Sequence, residues 1–248
     1  MEIKATSFLV DPEAISGDDF YLSETESHHL AKVIRAREGD IFYAIDGLGK
    51  KYRAIVTSIG PSRVTASIIG TVRLENEPHL KLCLAIGLSR PAKIDFVVEK
   101  GTEIGIGKFF LFVSEKTLID ETIDLNALKK ISRWRKIAES AAKQSLRSVV
   151  PEIAPPMRFD DVVALARDYQ LALIADMNSM PAPLSALLAD SPREILLLVG
   201  PESGFSEAEV DKALAAGFRP VRLGPRRLRT ETAAIVFSTL VMSAAGEL

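Results

Sequence analysis

Residue types that support several common kinds of protein site are scarce in this sequence of 248 residues. It contains one cysteine, Cys83, and three histidines. A disulfide framework and a site built from cysteine thiolates are therefore excluded. Cys83 lies in an apolar run and is expected to be a small buried side chain. His28 and His29 are adjacent, and neighbours on a helix do not face each other, so no metal site is expected there.

Long apolar runs and an excess of positive charge are also missing. No uninterrupted apolar stretch reaches the roughly 18 residues that a membrane-spanning helix needs, and the first residues do not resemble a secretory leader. We therefore expect a cytoplasmic protein with no membrane partner. The formal net charge of -2 excludes binding to nucleic acid through bulk positive charge, so any RNA contact must use local basic patches.

The sequence does contain a large apolar fraction, 47% of its residues, which is enough to fill a core. In the N-terminal part, short strands alternate with turns around one short helix. After the polar segment 73–78, apolar strands alternate with helices, a pattern typical of a parallel sheet covered on both faces. The expected strands are 7–10, 20–22, 41–45, 52–58, 64–70, 80–88, 108–113, 171–175, 195–199 and 220–223. The expected helices are 28–36, 94–105, 126–147, 207–216 and 231–245.

These two patterns predict an α/β protein with a small β-domain over residues 1–72 and a larger α/β domain over residues 73–248. Open parallel sheets bind ligands beyond the carboxyl ends of their strands. The loops that follow Val199 and Leu223 are therefore the candidate site.

The first of these loops combines glycines with a helix start. It reads Gly200-Pro201-Glu202-Ser203-Gly204-Phe205-Ser206. Gly200 and Gly204 have no Cβ, so the backbone can approach a ligand closely. Ser206 and Glu209 have the spacing of a capping box. A capped helix after a glycine turn is also common in α/β proteins without a site. The loop matches neither the dinucleotide fingerprint nor the phosphate loop, so hydride transfer and nucleotide hydrolysis lose support.

The second loop carries three arginines, Arg226, Arg227 and Arg229, between a strand and an apolar helix. Fixed positive charge at that place suits a polyanion or a developing oxyanion. Elsewhere on a protein surface, such arginines would most simply be solvated side chains without a function. Their position beside a strand end favours a functional role.

The two loops together resemble a known family. Gly200-Pro201-Glu202-x-Gly204-Phe205-Ser206-x-x-Glu209, followed by Leu223-Gly224-x-Arg226-x-Leu228-Arg229-Thr230-Glu231-Thr232-Ala233, resembles the SPOUT superfamily of methyltransferases. More narrowly, it resembles the RsmE-type enzymes, which methylate N3 of a uridine in 16S ribosomal RNA. The resemblance extends to Lys93-x-Asp95, Lys100-x-Thr102-Glu103 and His28-His29-Leu30. The sequence departs from the family at Ser203, where glycine is usual, and at Thr6-Ser7, where an arginine is usual.

The resemblance implies a C-terminal SPOUT domain with a parallel sheet and a trefoil knot, and an N-terminal PUA-like β-barrel. It also implies S-adenosyl-L-methionine as cofactor, a homodimer, and 16S rRNA within the small ribosomal subunit or its precursor as partner. The cofactor-binding residues by resemblance are Leu198, Gly200, Glu202, Gly204, Leu223, Gly224, Leu228 and Arg229.

Uridine N3 carries a proton, so the reaction needs that proton removed or the resulting charge stabilised. We expect Arg229 to polarise a carbonyl of the base or to position it, with Glu103 and Glu231 as weaker candidates for accepting the proton. For Glu231, a purely structural role at a helix start is favoured over catalysis. Side chains expected to contact RNA are Arg35, Arg37, Lys129, Lys130, Arg133, Gln144 and Arg147. Two alternatives are a SPOUT enzyme acting on another nucleotide or position, and a noncatalytic RNA-binding assembly factor.

Overall fold

The computed structural model describes residues 1–115, 125–178 and 182–248. Contacts between Cα atoms divide them into two compact units. The N-terminal unit comprises Met1–Glu77 and Glu139–Val150, and the C-terminal unit comprises Pro78–Ala138 and Pro151–Leu248. The long helix Leu125–Gln144 therefore begins in one unit and ends in the other. The boundary expected after residue 72 stays a prediction.

The N-terminal unit is built on a six-stranded sheet in the order β1-β4-β5-β6-β3-β2. Strand β1 pairs parallel with β4, and all other neighbours are antiparallel. The strands are Glu2–Leu9 (β1), Ile15–Ser16 (β2), Asp19–Tyr21 (β3), Ile41–Ile45 (β4), Lys50–Ile59 (β5) and Val64–Arg73 (β6). Its core is formed by apolar side chains that include the fully buried Phe8, Leu22, Leu30 and Phe42.

The turn between β4 and β5 has the chemistry that its sequence predicts. Gly47 and Gly49 have φ angles of 73° and 109°, which disfavour residues with a Cβ. The carboxylate of Asp46 accepts hydrogen bonds from the backbone N–H groups of Leu48 and Lys50, at 2.8 and 2.9 Å. Asp46 therefore satisfies two backbone N–H donors of the turn, and aspartate is frequent in turns because it can make such bonds.

The helix expected at 28–36 begins earlier in the structure than the sequence predicts. Helix α1 spans Glu24–His28 and continues into a π-helical turn over His29–Val33. Ser23 caps α1 by accepting a hydrogen bond from the N–H of Glu26 at 3.3 Å. The expected extension to residue 36 is wrong, because Arg35 takes a left-handed φ of 59°.

The C-terminal unit contains a seven-stranded sheet, and all of its pairings are parallel, as the sequence pattern predicts. The order is β10-β8-β7-β12-β11-β13, with β9 paired to β8. The strands are Lys81–Gly87 (β7), Lys108–Val113 (β8), Glu152–Ile153 (β9), Met157–Arg158 (β10), Leu171–Ala175 (β11), Glu194–Val199 (β12) and Arg219–Val221 (β13). The two-residue strands β9 and β10 were not expected, since such short segments have no readable periodicity.

Helices cover both faces of this sheet. They are Pro91–Ile104 (α2), Leu125–Gln144 (α3), Phe159–Ala164 (α4), Leu184–Leu187 (α5), Glu207–Ala215 (α6) and Thr230–Ala244 (α7). On one face, α4 and α6 pack on alternate residues of β7, β8 and β12, where Cys83 is buried. Burial raises the pKa of the Cys83 thiol. On the other face, α2 and α7 pack against each other, and α7 contacts β7 and β12.

None of the described helices is long and apolar enough to cross a membrane. The trefoil knot implied by the resemblance stays a prediction.

Arg147 lies beyond the helix on which it was expected. Helix α3 ends at Gln144, and Leu146 has a left-handed φ of 60°, which breaks the helical path. Arg147 is 3% exposed, and its Nε and Nη2 atoms lie 3.1 and 2.7 Å from the carboxylate of Glu77. That carboxylate also accepts hydrogen bonds from the N–H groups of Ser148 and Val149. The expected RNA contact of Arg147 is therefore corrected to a structural ion pair.

We predict that Glu77→Ala lowers the free energy of unfolding by about 3 kcal/mol, because it leaves the Arg147 guanidinium buried without a counter-charge. Urea denaturation at neutral pH measures this loss. Glu13→Ala is the control, since Glu13 is exposed and only its backbone N–H is hydrogen-bonded. Its effect should stay within about 0.5 kcal/mol. Equal losses for the two variants would contradict the structural role of Glu77.

Candidate functional site

The sheet order brings the two loops of interest to one edge. Strand β11 pairs in parallel with β12 on one side and with β13 on the other. The loops that follow β12 and β13 therefore leave the sheet at the same, carboxyl, edge. We call residues 200–206 the first loop and residues 222–229 the second loop.

The first loop is held by the capping box that the sequence predicts. Ser206 Oγ accepts a hydrogen bond from the N–H of Glu209 at 3.2 Å, and Glu209 Oε2 accepts one from the N–H of Ser206 at 2.8 Å. Glu209 is 4% exposed, and its other oxygen accepts a bond from the N–H of Glu115 at 2.9 Å. The loop is thus anchored to α6 and to the chain that follows β8.

One glycine of the first loop has a backbone conformation that needs glycine, and a second lies close to an aromatic ring. Gly204 has a φ of 75°, and a Cβ on Gly200 would lie 3.2 Å from the ring of Phe205. That ring stacks on Phe112, with centroids 6.3 Å apart and planes 6° from parallel. The glycines therefore allow the loop to fold tightly over its own aromatic residue.

Gly87, the last residue of β7, also supports the first loop, and sequence reasoning missed it. A Cβ at this position would lie 2.5 Å from the backbone nitrogen of Pro201 and 2.6 Å from its Cδ. The loop after β12 therefore rests directly on the end of β7. A glycine at the carboxyl end of an apolar strand was the available signal.

The second loop presents positive charge to solvent. Gly224 has a φ of 113°, and the side chains of Arg226, Arg227 and Arg229 are exposed. Arg229 is the N-cap residue of α7, but its side chain makes no capping hydrogen bond. A guanidinium has no acceptor and cannot cap a helix start, so it is the exposure of Arg229 that makes it accessible to a ligand at the carboxyl edge of the sheet.

Lys93, in the first turn of α2, joins the first loop to the first turn of α7. Its Nζ atom lies 3.2 Å from Glu202 Oε1 and 3.1 Å from Glu231 Oε2. The three side chains are between 18% and 30% exposed. A single ammonium group therefore pairs with one carboxylate from the first loop and one from the start of α7.

The Glu231 carboxyl has a pKa below its ordinary value. Burial raises this pKa. The backbone N–H of Glu231, the ammonium of Lys93 and the nearby charge of Arg229 together lower it by more than burial raises it. Glu231 therefore stays ionised at neutral pH and is a weaker base than a solvent-exposed glutamate.

Glu103 lies far from the two loops. It is ten residues beyond Lys93 on the same helix, which corresponds to about 15 Å along the axis. Its carboxylate binds Lys100 Nζ at 2.8 Å. The structure does not bring Glu103 to the site, which counts against a role in proton transfer.

The residues that the resemblance assigns to a cofactor mostly lie on the two loops. Glu202, Leu223, Gly224 and Leu228 are partly exposed there, whereas the Leu198 side chain is fully buried in the sheet and can offer only its main chain. At the same edge, two residues after Gly87, Ser89 is 6% exposed and its Oγ has no hydrogen-bond partner among the described residues. Glycine loops, main-chain groups and an unpartnered hydroxyl suit a small polar organic ligand.

The residues expected to contact RNA are divided between the two units. Lys129, Lys130 and Gln144 are exposed on α3, and Arg35 and Arg37 are exposed after α1. Arg133 is exposed but paired, since its Nη2 lies 2.5 Å from Asp95 Oδ2.

Comparison with known proteins finds RNA methyltransferases that are similar to this chain. Residues 75–242 match the family model described as RNA methyltransferase domain, and residues 22–69 match the one described as RNA methyltransferase PUA domain. A Synechocystis protein named ribosomal RNA small subunit methyltransferase E is 34% identical over 94% of this chain and 76% of its own length. The Bacillus subtilis protein of the same name is 31% identical over 86% of each chain.

A solved structure is similar over almost the whole chain. It is the crystal structure of a ribosomal RNA small subunit methyltransferase E from Neisseria gonorrhoeae bound to S-adenosyl methionine. The TM-score is 0.85 at 29% identity, with 97% of this chain and 98% of that chain covered. The chain therefore belongs to the family of RNA methyltransferases that includes the proteins named ribosomal RNA small subunit methyltransferase E.

Proposed function

We propose that this protein is an S-adenosyl-L-methionine-dependent methyltransferase that modifies N3 of a uridine in 16S ribosomal RNA, within the small subunit or its precursor. The observation that carries the proposal is the pair of glycine loops at one sheet edge, the first of which is tied through Lys93 to α7, the helix that follows the second. The names of the relatives and the S-adenosyl methionine bound to the Neisseria protein support it.

The two loops have the chemistry to hold this cofactor. We propose that main-chain groups around Leu198, Gly200 and Gly204 meet it on one side, and those around Leu223, Gly224 and Leu228 on the other. Glu202 adds negative charge near a ligand that carries a positive sulfonium. When bound, S-adenosyl-L-methionine supplies an activated methyl group for transfer to a ring nitrogen.

Methylation at N3 requires loss of the N3 proton, which we propose passes to solvent water, and this loss leaves negative charge on the flanking carbonyl oxygens of uracil. We propose that the exposed guanidinium of Arg229 stabilises this charge. Glu231 is a poor proton acceptor because Lys93 and Arg229 lower its pKa. Charge stabilisation by Arg229 is therefore the main contribution of the chain to the acceptor side.

The basic side chains outside the site suit the phosphates of a structured RNA. We propose that Lys129 and Lys130 contact phosphates, and that Arg35 and Arg37 do the same from the N-terminal unit. We assign Gln144, which is exposed on α3, to hydrogen bonds with RNA. Arg133 joins this group only if its pair with Asp95 opens.

We also propose that the protein forms a homodimer through α7. Phe237, Val241 and Met242 face the core of the C-terminal unit, whereas Leu240 is 45% exposed on the same helix. The exposed side of α7 is thus free to contact a second copy. Sedimentation at micromolar concentration, for the native protein and Leu240→Glu, tests this contact.

The decisive experiment combines binding and transfer. Cofactor titration by calorimetry is followed by incubation with labelled cofactor and small subunits that lack the modification, and the RNA is digested to nucleosides. Label in 3-methyluridine supports the proposal. Label in another nucleoside would favour an enzyme of different position specificity, and RNA binding without cofactor binding or transfer would favour a noncatalytic assembly factor.

We predict that Gly87→Ala weakens cofactor binding and lowers methyl transfer by about 100-fold, because the new Cβ forces Pro201 and the first loop away from β7. Calorimetry and the transfer assay measure the two effects. Gly107→Ala is the matched control, since a Cβ there would make only an ordinary contact of 3.8 Å with Leu82 O. Wild-type affinity in Gly87→Ala would show that the first loop does not shape the cofactor site.

We predict that Arg229→Ala lowers methyl transfer at saturating cofactor by about 100-fold or more, because it removes a positive group from the developing negative charge. Single-turnover transfer with excess enzyme measures this step. The control is Arg227→Ala, which removes an exposed arginine from the same loop at a position outside the family motif and should retain transfer. Full turnover in Arg229→Ala would rule out its electrostatic role.

A further inference from the structure

We propose that Lys93 is a positioning residue that sets the spacing between the first loop and the start of α7 before any ligand binds. The inference rests on the proposed function, because the spacing that Lys93 sets is that of the proposed cofactor site. Lys93 acts through Glu202 and Glu231, and no contact between Lys93 and a ligand is needed.

The position of Lys93 on α2 makes this role physically reasonable. It lies in the first turn of a 14-residue helix that begins with Pro91 and packs against α7. Its side chain is 21% exposed, so most of its length is held by neighbouring atoms. A nearly immobile ammonium group therefore stands between one carboxylate on a loop and one on a helix start.

The two carboxylates need Lys93 to different degrees. Glu231 also has its own backbone N–H and the positive charge of Arg229 beside it, and it lies in the first turn of α7, where negative charge is favoured. Glu202 belongs to a loop, and the one ion pair that the described residues give it is the pair with Lys93. Loss of Lys93 should therefore release the first loop more than α7.

Besides setting the spacing, Lys93 offsets the negative charges of Glu202 and Glu231. The described charged groups that act on Glu231 are Lys93 from α2 and Arg229 from the second loop, and Lys93 also pairs with Glu202 from the first loop. Both carboxylates lie within 3.2 Å of the same nitrogen. Without the ammonium the two carboxylates would repel each other across the site. Burial raises the pKa of Glu231 once Lys93 no longer lowers it, so this repulsion would weaken as the pH falls and Glu231 becomes protonated.

We expect Lys93→Met to raise the dissociation constant for S-adenosyl-L-methionine by about tenfold at pH 8, a modest factor because the three side chains are partly exposed. Part of the loss should be recovered at pH 5.5. Lys93→Arg keeps the positive charge and should restore most of the affinity. Lys100→Met is the matched control, since Lys100 lies on the same helix and pairs with Glu99 and Glu103; its affinity should equal that of the native protein.

Hydrogen–deuterium exchange of the ligand-free protein tests the same idea without the cofactor. In Lys93→Met, exchange should increase in residues 200–206 and at the start of α7. Glu202→Gln should increase exchange in the first loop alone, which gives a second variant if Lys93→Met does not fold. Lys100→Met should change neither segment.

Two results would overturn the inference: native exchange in both segments of the ligand-free Lys93→Met protein, or an affinity loss that is equal at pH 5.5 and pH 8 and is not restored by arginine. Failure of the proposed function is distinguishable, because the native protein would then bind no S-adenosyl-L-methionine while the exchange experiment would still report on Lys93.

Discussion

The adjacent positions of β12, β11 and β13 in one parallel sheet determine where the two loops of the site can lie. Neighbouring strands are about 4.8 Å apart, so the carboxyl ends of β12 and β13 are separated by about 10 Å. That distance is too large for main-chain contact between the strand ends but well within reach of a loop and a lysine side chain. The site therefore depends on the two loops extending over the end of β11, which separates them.

Each loop is held by a different kind of contact. The first loop rests on Gly87 and is closed by the capping box of α6, and both contacts involve main-chain atoms. The second loop ends at α7, whose first turn is tied to α2 through the pair between Lys93 and Glu231. The first loop thus has main-chain support in addition to its ion pair with Lys93. The second loop carries the exposed arginines, and its end is held through the ion pair of Glu231 and the packing of α7 against α2.

The sequence predicted the parts of this arrangement that depend on local chemistry. Apolar runs predicted the buried strands β7, β8, β11 and β12, and the spacing of Ser206 and Glu209 predicted the capping box. Contacts between residues that are distant in the sequence could not be predicted from it. Gly87 became informative only when Pro201 was seen against it, and nothing local distinguishes Lys93 from Lys100, the other lysine of α2. The expectations for Glu103 and Arg147 lacked the same information, since a helical position does not tell which end of the sheet a side chain reaches or which carboxylate is buried beside it.

Arg147 and Arg229 show how the same residue type serves two purposes in this chain. The Arg147 guanidinium is 3% exposed and is paired with a carboxylate that also binds two backbone N–H groups, so its charge is compensated within the N-terminal unit. Arg229 caps α7 without a side-chain bond and remains exposed. A buried, paired arginine stabilises one conformation, while an exposed one beside a helix start retains its full charge for a ligand. Exposure and pairing, which only the fold reveals, therefore separate the structural arginine from the one that we propose to be functional.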